Sequence, residues 1–410
     1  MAKRAIICGG SIGGLFAAAM LRRAGWEVTV LERTPVELSG RGAGIVTHDV
    51  LDRLIVAAGA TTHDLGVDVT DRVAFDRTGG ICRRIALAQT VTSWDRVHSL
   101  LRALMPQGSY RPGVTVTGYA EHGDHVEAIC ADGTRHGAEL LVAADGFRSA
   151  VRGQMLPQVA PRYAGYVVWR ALAREADLSE AVRRDLFGQF AMFLPTGTQI
   201  VGYPIAGPGN DLRPGHRRYN FVWYVPVAQA DLDDMLTDAE GVHHPVSIPP
   251  PLVRPQVIAR MRDLAARTLP PQFLEILERS EPPFFTPIYD HLSPVMAEGR
   301  VALAGDAACV ARPHVGMGVT KAACDAEALA RHLDTGPVAE GLRAYCAERQ
   351  PDAARAHLTA RRLGAMIFET PPHGPDPDGC DNPAMDVILR STAVVPRDDT
   401  LADQALRRSS

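Results

Sequence analysis

The chain has 410 residues, of which 46% are hydrophobic and 22% charged, with a formal net charge of −4 at pH 7. That balance suits a folded chain of two or three domains and leaves no basic footprint for nucleic acid. No run approaches the length of a membrane span, the N-terminus reads as strand rather than as a leader peptide, and the seven cysteines are scattered without a C-x-x-C spacing. An unprocessed cytoplasmic protein is therefore expected, with neither a zinc site nor a disulfide framework.

The first residues carry the clearest signal. A short apolar run (Ala5, Ile6, Ile7) meets a glycine-rich turn, and an alanine-rich helical pattern follows from Leu15 to Arg23. Gly9, Ser11 and Gly14 occupy the three places of a G-x-G-x-x-G fingerprint, with serine in the middle one; Gly10, Ile12 and Gly13 complete the turn. A strand–turn–helix of this kind brings backbone N–H groups and a helix N-terminus to a pyrophosphate. A second apolar run, Glu27 to Leu31, ends at Glu32 and Arg33, and an acidic side chain there can accept hydrogen bonds from a ribose. The alternative is a glycine turn that only packs helix on strand, with Glu32 solvated.

Further along, the loop Ser39-Gly40-Arg41-Gly42-Ala43-Gly44 suits close backbone approach to a ligand, and helical spacing resumes at Val50 and stops at Gly59. Val73 to Trp94 breaks into strand-like pieces around Thr78-Gly79-Gly80, and Val97 to Met105 is helical up to Pro106. Val114–Thr117, His125–Cys130 and Leu140–Ala143 alternate like strands, with an Asp132-Gly133 hairpin turn between the last two. Tyr163–Ala173, Ala191–Phe193, Gln199–Ile205 and Tyr219–Val225 are β-branched and aromatic, which predicts an antiparallel sheet. Its aromatic residues fit either the wall of an apolar pocket or an ordinary sheet core. Residues 254–280 read as helical, Arg300–Ala304 as a buried strand and Met317–Leu333 as a long helix. Leu342–Gln350 and Pro351–Phe368 follow as separate helical pieces, and the Pro-, Gly- and Asp-rich stretch 370–384 reads as a loose tail.

Two more strand ends carry acidic turns. Leu140 to Ala144 leads into Asp145-Gly146, and Arg300 to Ala304 leads into Gly305-Asp306, followed by Pro313, Gly316, Gly318 and a helix. An aspartate at a strand end can hold a ribityl or ribose hydroxyl, and a helix N-terminus can stabilise negative charge on a ring. With the first turn, these motifs resemble the FAD-dependent aromatic hydroxylases, the single-component flavoprotein monooxygenases of the para-hydroxybenzoate hydroxylase type. The resemblance runs from about residue 3 to residue 370. Leu38-Ser39-Gly40, Tyr163 to Val167 with Trp169-Arg170, and Arg312-Pro313-His314 leading to Lys321 are similar to the hydroxypyridine branch. Most family members have His after Gly-Asp-Ala-Ala, then Gly-Gln-Gly and Asn; Cys309, Gly316-Met317-Gly318 and Lys321 depart from that pattern and mark a subfamily.

The resemblance implies an α/β fold with α+β elements: a Rossmann-like FAD-binding domain (1–73, 97–162 and 283–336), an inserted antiparallel-sheet substrate domain (74–96 and 163–282), and C-terminal helices and tail (337–410). It implies that Gly9, Ser11, Ile12 and Gly14 bind the ADP part of FAD, with Glu32 and Arg33 near its ribose. Arg41 and Arg96 would lie along the cofactor, Asp145 would serve both FAD and NADH or NADPH, and Asp306 would hold the ribityl chain. Pro313, Gly316, Met317 and Gly318 would border the ring system. The implied activity is hydroxylation of an electron-rich ring through a flavin hydroperoxide, with NAD(P)H and O2 as co-substrates, in a homodimer; another FAD oxidoreductase on the same scaffold, an epoxidase or dehydrogenase, is the alternative. Histidine is the natural general base near neutral pH, so His314 and His48 are candidates beside a purely structural role. Tyr203, Trp223 and Trp169 are candidate pocket residues, Tyr203 also as a hydrogen-bond donor. Arg170 either holds an anionic substrate or forms a salt bridge within the sheet.

Overall fold

A computed structural model describes residues 3–38, 44–369 and 374–394. Two sheets organise it. The first has six strands in the order Ala297–Glu298, Val301–Leu303, Leu140–Ala143, Arg4–Cys8, Glu27–Glu32 and Tyr110–Pro112. All pairs are parallel except that of the short edge strand Ala297–Glu298. Leu140–Ala143 and Val301–Leu303 are buried throughout, as expected of parallel strands covered on both faces. Helices Ile12–Arg23 and Gly318–His332 pack against one another on this sheet. The approach is close: a Cβ on Gly13 would lie 3.2 Å from the Cβ of Ala322.

The second sheet has nine strands: Cys309–Val310, Phe284–Leu292, Arg162–Arg174, Arg218–Pro226, Gln199–Ile205, Gln189–Phe193, Val67–Phe75, Ile81–Ser93 and Gly44–Val46, in that order. It is mixed rather than wholly antiparallel, because Gln189–Phe193 runs parallel to Val67–Phe75. It also starts earlier in the chain than residue 74, since Gly44–Val46 and Val67–Phe75 both belong to it. Side chains alternate across it. Trp169, Phe221, Trp223 and Phe285 face helices Pro255–Thr268 and Pro271–Arg279, while Val168, Tyr203, Val222 and Tyr224 face the opposite way.

Three expectations change. The Asp132-Gly133 turn, with Gly133 at φ +83°, joins Val126–Cys130 to a further strand, Arg135–Ala138. Leu140–Ala143 lies in the parallel sheet instead, because its uninterrupted apolar run must be buried on both faces. The helix expected to end at Gln350 continues through Pro351 as Val338–Phe368. Arg349 binds Asp325 (2.9 Å) and Asp352 (2.6 Å), pinning the helix on both sides of the proline. Residues 374–384 are bound rather than loose. Asp376 accepts the N–H groups of Gly379 and Asp381 (both 2.8 Å), and Asn382 donates to the Leu194 carbonyl (3.1 Å). Helix Met385–Ser391 follows, and the buried Arg72 donates to the carbonyls of Leu389 (2.7 Å) and Thr392 (2.5 Å) at its C-terminal end. A guanidinium there meets the negative end of the helix dipole.

Asp325 is fully buried and its partner Arg349 is 7% exposed. Burial alone would lower the arginine's pKa, but the Asp325 charge outweighs it and raises it. Arg349→Met would leave the Asp325 carboxylate uncompensated, so the unfolding free energy is expected to fall by about 3–5 kcal/mol, measurable by urea denaturation.

Candidate active site

The glycine turn is sterically determined. Gly9 has φ +103°, and a Cβ on it would lie 2.3 Å from the Ala144 carbonyl oxygen at the neighbouring strand end. A Cβ on Gly14 would lie 1.9 Å from the Gly9 carbonyl oxygen, so helix Ile12–Arg23 can close on the turn only with glycine there. Ser11 sits at the N-cap in extended conformation, and its hydroxyl makes no capping bond. No acidic side chain lies in the first helical turn, so the positive helix end remains available to an anion. Glu32, 6% exposed, closes the turn from the next strand: Gly10 N–H donates to Oε2 (2.7 Å) and Thr34 N–H to Oε1 (2.8 Å).

From this turn a cleft of about 960 Å³ runs to the inner face of the larger sheet. Gly9, Ser11, Glu32 and Arg33 line one end; Asp145, Gly146, Asp306 and Pro313 line the middle; Arg170, Pro287 and Ile288 line the sheet side. Asp145 accepts the Ala150 N–H at Oδ2 (2.9 Å), while Oδ1 is buried without a partner. Burial raises the pKa of this carboxyl, and the hydrogen bond of Ser149 opposes that shift. Asp306 is surrounded by protein yet its side chain is open to the cleft. That enclosure raises its pKa, against the pull of Lys321. The turn beneath it is anchored: Gly305, at φ +59°, donates its N–H to Asp325 Oδ2 (3.0 Å), and Lys321 Nζ donates to the Gly305 carbonyl (2.7 Å). Lys321 thus braces the Gly-Asp turn.

The other expected residues separate. Arg41 lies outside the described residues. Arg96 turns from the cleft and donates to the His63 carbonyl (2.8 Å). Gly316, at φ +61°, is pressed by the C-terminal segment, where a Cβ would meet that of Ala393 at 2.6 Å; Met317 packs on Leu363, and Gly318 opens helix Gly318–His332. His314 does not face the cleft. It is 2% exposed, its Nε2 lies 2.7 Å from the Tyr166 hydroxyl, and its ring packs on Tyr224. Burial, with Arg312 nearby, pushes its pKa down to about 3. His48 is half-buried, with Nε2 at 3.2 Å from the Thr320 hydroxyl and Nδ1 unpartnered. Burial lowers its pKa as well. Tyr203 stacks on Phe190 (5.2 Å) and closes against Gly44, where a Cβ would meet its ring at 2.3 Å. Trp169 and Trp223 are on the wrong face for the expected pocket wall: both pack toward the covering helices, and Trp223 donates its indole N–H to Thr198 (2.8 Å).

Sequence reasoning passed over Pro287, Ile288 and Asn220. Asn220 is 2% exposed between Tyr219 and Phe221; its Oδ1 accepts the Gly44 N–H (3.3 Å) and its Nδ2 has no partner. A polar side chain inside an otherwise apolar strand was the available signal.

This arrangement has known counterparts. The sequence profile of the family described as "FAD binding domain-like" matches residues 163–290. The 2,6-dihydroxypyridine 3-monooxygenase of Paenarthrobacter nicotinovorans is 33% identical over 80% of this chain and 82% of its own. The solved 2,6-dihydroxypyridine-3-hydroxylase from Arthrobacter nicotinovorans superposes with a TM-score of 0.87 at 28% identity, covering 98% of both chains. Klebsiella pneumoniae HpxO, solved with FAD and uric acid, shares the fold with a TM-score of 0.74 at 22% identity, covering 95% of this chain and 92% of its own. The chain belongs to the FAD-dependent aromatic monooxygenases. The cofactor is FAD, with NAD(P)H as co-substrate, and the cleft fits it: a glycine turn that a Cβ would fill, an unpartnered Asp145 oxygen and an open Asp306 carboxylate. Among the described residues no helix is long and apolar enough to cross a membrane.

His314 also makes stability depend on pH. Its pKa falls from 6.5 in the unfolded chain to about 3 in the fold. The unfolded state therefore binds the extra proton between those values, and the contribution is complete above pH 6.5 and lost as pH falls toward 3. The slope expected from this group is about 1.4 kcal/mol per pH unit. Urea unfolding of His314→Phe across pH 4–7 is expected to show a curve shallower by one proton.

Proposed function

We propose that this chain hydroxylates an electron-rich aromatic ring of hydroxypyridine or phenol type, using NADH or NADPH and O2. The observation that carries the reading is the single cleft joining the glycine turn, the Asp145 and Asp306 carboxylates and the inner face of the nine-stranded sheet. The 2,6-dihydroxypyridine enzymes among its relatives support the substrate class.

In this reading Gly9, Ser11, Ile12 and Gly14 hold the pyrophosphate region of FAD at the helix N-terminus. Glu32 keeps lone pairs for the ribose beside the two N–H groups it already accepts. Asp306 takes ribityl hydroxyls, and the exposed Arg33 and Arg148 at the rim of the cleft meet the phosphates of the reductant. Bound FAD supplies the reduction by NAD(P)H and the activation of dioxygen. The chain's own work is positioning, water exclusion and proton transfer. Pro287, Ile288, Ala311 and Pro313 form an apolar wall that keeps water from the ring. His48, whose Nδ1 has no partner although the residue is not itself on the cleft lining, is the proton acceptor we assign for the ring hydroxyl; burial lowers its pKa, which makes it a weaker base but keeps the imidazole unprotonated and able to accept. Burial raises the pKa of Tyr203, so its phenol stays protonated and serves as a donor. A cytoplasmic homodimer completes the reading on family resemblance, and light scattering on the purified protein checks the assembly.

The test is NADH and NADPH oxidation with and without 2,6-dihydroxypyridine and a panel of phenols, together with product mass. Ring-stimulated oxidation and a gain of one oxygen atom support the proposal; FAD-bound protein that no ring stimulates counts against it. Asp306→Ala is expected to purify largely without FAD, as read from the ratio of visible to ultraviolet absorbance. Wild-type occupancy in that variant removes Asp306 from the cofactor site.

A further inference from the structure

A three-stranded sheet lies beside the two large ones, with strands Val116–Glu121, Val126–Cys130 and Arg135–Ala138 in that order. Val126, Ala128 and Cys130 are buried in the core, so His125 and Glu127, which alternate with them, face outward. The first two strands meet at the tight turn Gly123-Asp124. Its flanking residues are paired, with the His122 N–H donating to the His125 carbonyl (2.8 Å). Residues opposite each other in a hairpin share a face. That register brings His122, His125 and Glu127 together, and their metal-binding atoms all lie within 4.8 Å of one another.

The group is held in place by its surroundings. Arg300 donates to the Gly123 carbonyl (3.3 Å) and its own N–H is accepted by Glu121 (2.7 Å), which ties the turn to the parallel sheet. The rings of His122 and His125 stack at 4.5 Å with planes 19° apart. His122 Nε2 lies 3.3 Å from Glu127 Oε2. Two ligand atoms of a tetrahedral zinc ion, each bonded at about 2.0–2.1 Å, stand about 3.3 Å apart. Asp124 Oδ1 lies 2.8 Å from His125 Nδ1. A carboxylate there keeps the proton on Nδ1 and leaves the lone pair on Nε2, as the partners of metal-bound histidines do. Arg135 donates to Glu127 Oε2 (2.9 Å) and orients that carboxylate in the same way. As exposed ion pairs these contacts contribute little, and two stacked imidazoles repel once both are protonated. One divalent cation takes the place of those protons and satisfies all three side chains.

We propose that His122, His125 and Glu127 bind a divalent first-row transition metal ion, such as Zn2+, with a fourth position open to water. Two imidazoles and one carboxylate suit Zn2+, Ni2+ and Cu2+, and disfavour Mg2+ and Ca2+, which take oxygen ligands. The sequence has no C-x-x-C spacing; the hairpin assembles this set from His-x-x-His-x-Glu instead. Thr117 on the first strand lines the cleft, and His122 stands five residues further along, about 16 Å away at about 3.3 Å per residue. The ion therefore clamps the hairpin rather than taking part in the cleft's chemistry, and the site is independent of the hydroxylase reading.

The test uses tag-free, FAD-loaded protein dialysed against a chelator. Calorimetric titration with Zn2+ is expected to show one site per chain with a Kd below about 10 μM, and Mg2+ and Ca2+ are expected not to saturate it up to about 1 mM. Co2+ is expected to give the visible absorbance bands of a four-coordinate ion. His122→Ala, His125→Ala and Glu127→Gln should each weaken Zn2+ by at least about tenfold, and Asp124→Asn by less, because it holds a ligand rather than the ion. FAD stoichiometry and the rate of NADH oxidation should stay within about twofold in every variant, as for other exposed substitutions, which also shows that the variants fold. Lack of saturable Zn2+ binding in wild type, undiminished binding in His122→Ala and His125→Ala, or Mg2+ binding as tight as Zn2+ would each overturn the proposal.

Discussion

The turn Gly305-Asp306 is the point on which both sheets and both long C-terminal helices converge. Gly305 gives its N–H to Asp325 on helix Gly318–His332 and receives the Lys321 ammonium from the same helix. Asp325 is in turn held by Arg349 from helix Val338–Phe368. Three residues past Asp306, the chain joins the edge of the nine-stranded sheet through Cys309–Val310. The carboxylate of Asp306 therefore projects into the cleft from a backbone held on three sides. A buried ion pair often contributes little net stability; here its consequence is geometric, because it ties the Gly305-Asp306 turn to both C-terminal helices.

The parts of the site legible in the sequence were those imposed by backbone sterics. Gly9 and Gly14 are required by contacts under 2.5 Å to neighbouring carbonyl oxygens, so the turn had to announce itself in residue types. The acidic strand ends Glu32, Asp145 and Asp306 were equally visible, because a strand end in a parallel sheet points at one place. All three line the cleft. Long apolar or aromatic runs also identified strands well: Arg162–Arg174, Gln199–Ile205 and Arg218–Pro226 contain the expected segments.

What stayed hidden was direction. Trp169 and Arg170 are adjacent, yet one packs under the covering helices and the other faces the cleft. Period-two alternation separates such neighbours onto opposite faces, but composition does not say which face meets a ligand when both are apolar. His314 illustrates the same difficulty in a loop: Pro313 lines the cleft while the next side chain turns into the Tyr166–Tyr224 cluster. The continuity of helix Val338–Phe368 through Pro351 was likewise hidden: Arg349 pairs with Asp325 on the neighbouring helix, which no local pattern shows, and with Asp352 within its own helix.

The polarity of the cleft follows from these placements. At its nucleotide end and along its middle it offers carboxylates: Glu32, Asp145 with a free oxygen, and Asp306. These accept hydrogen bonds from hydroxyl groups and disfavour anions in direct contact, except where helix and backbone N–H groups intervene. At the sheet end the order reverses, with Arg170 on the wall. The buried histidine packed on Tyr166 and Tyr224 carries no charge to oppose or double the guanidinium, since burial pushes its pKa down to about 3. A ligand with hydroxyls along one part and a separate anionic ring at the far end therefore meets matching chemistry in only one orientation. The two sheets, held at the Gly305-Asp306 turn, supply the opposite polarities that impose it.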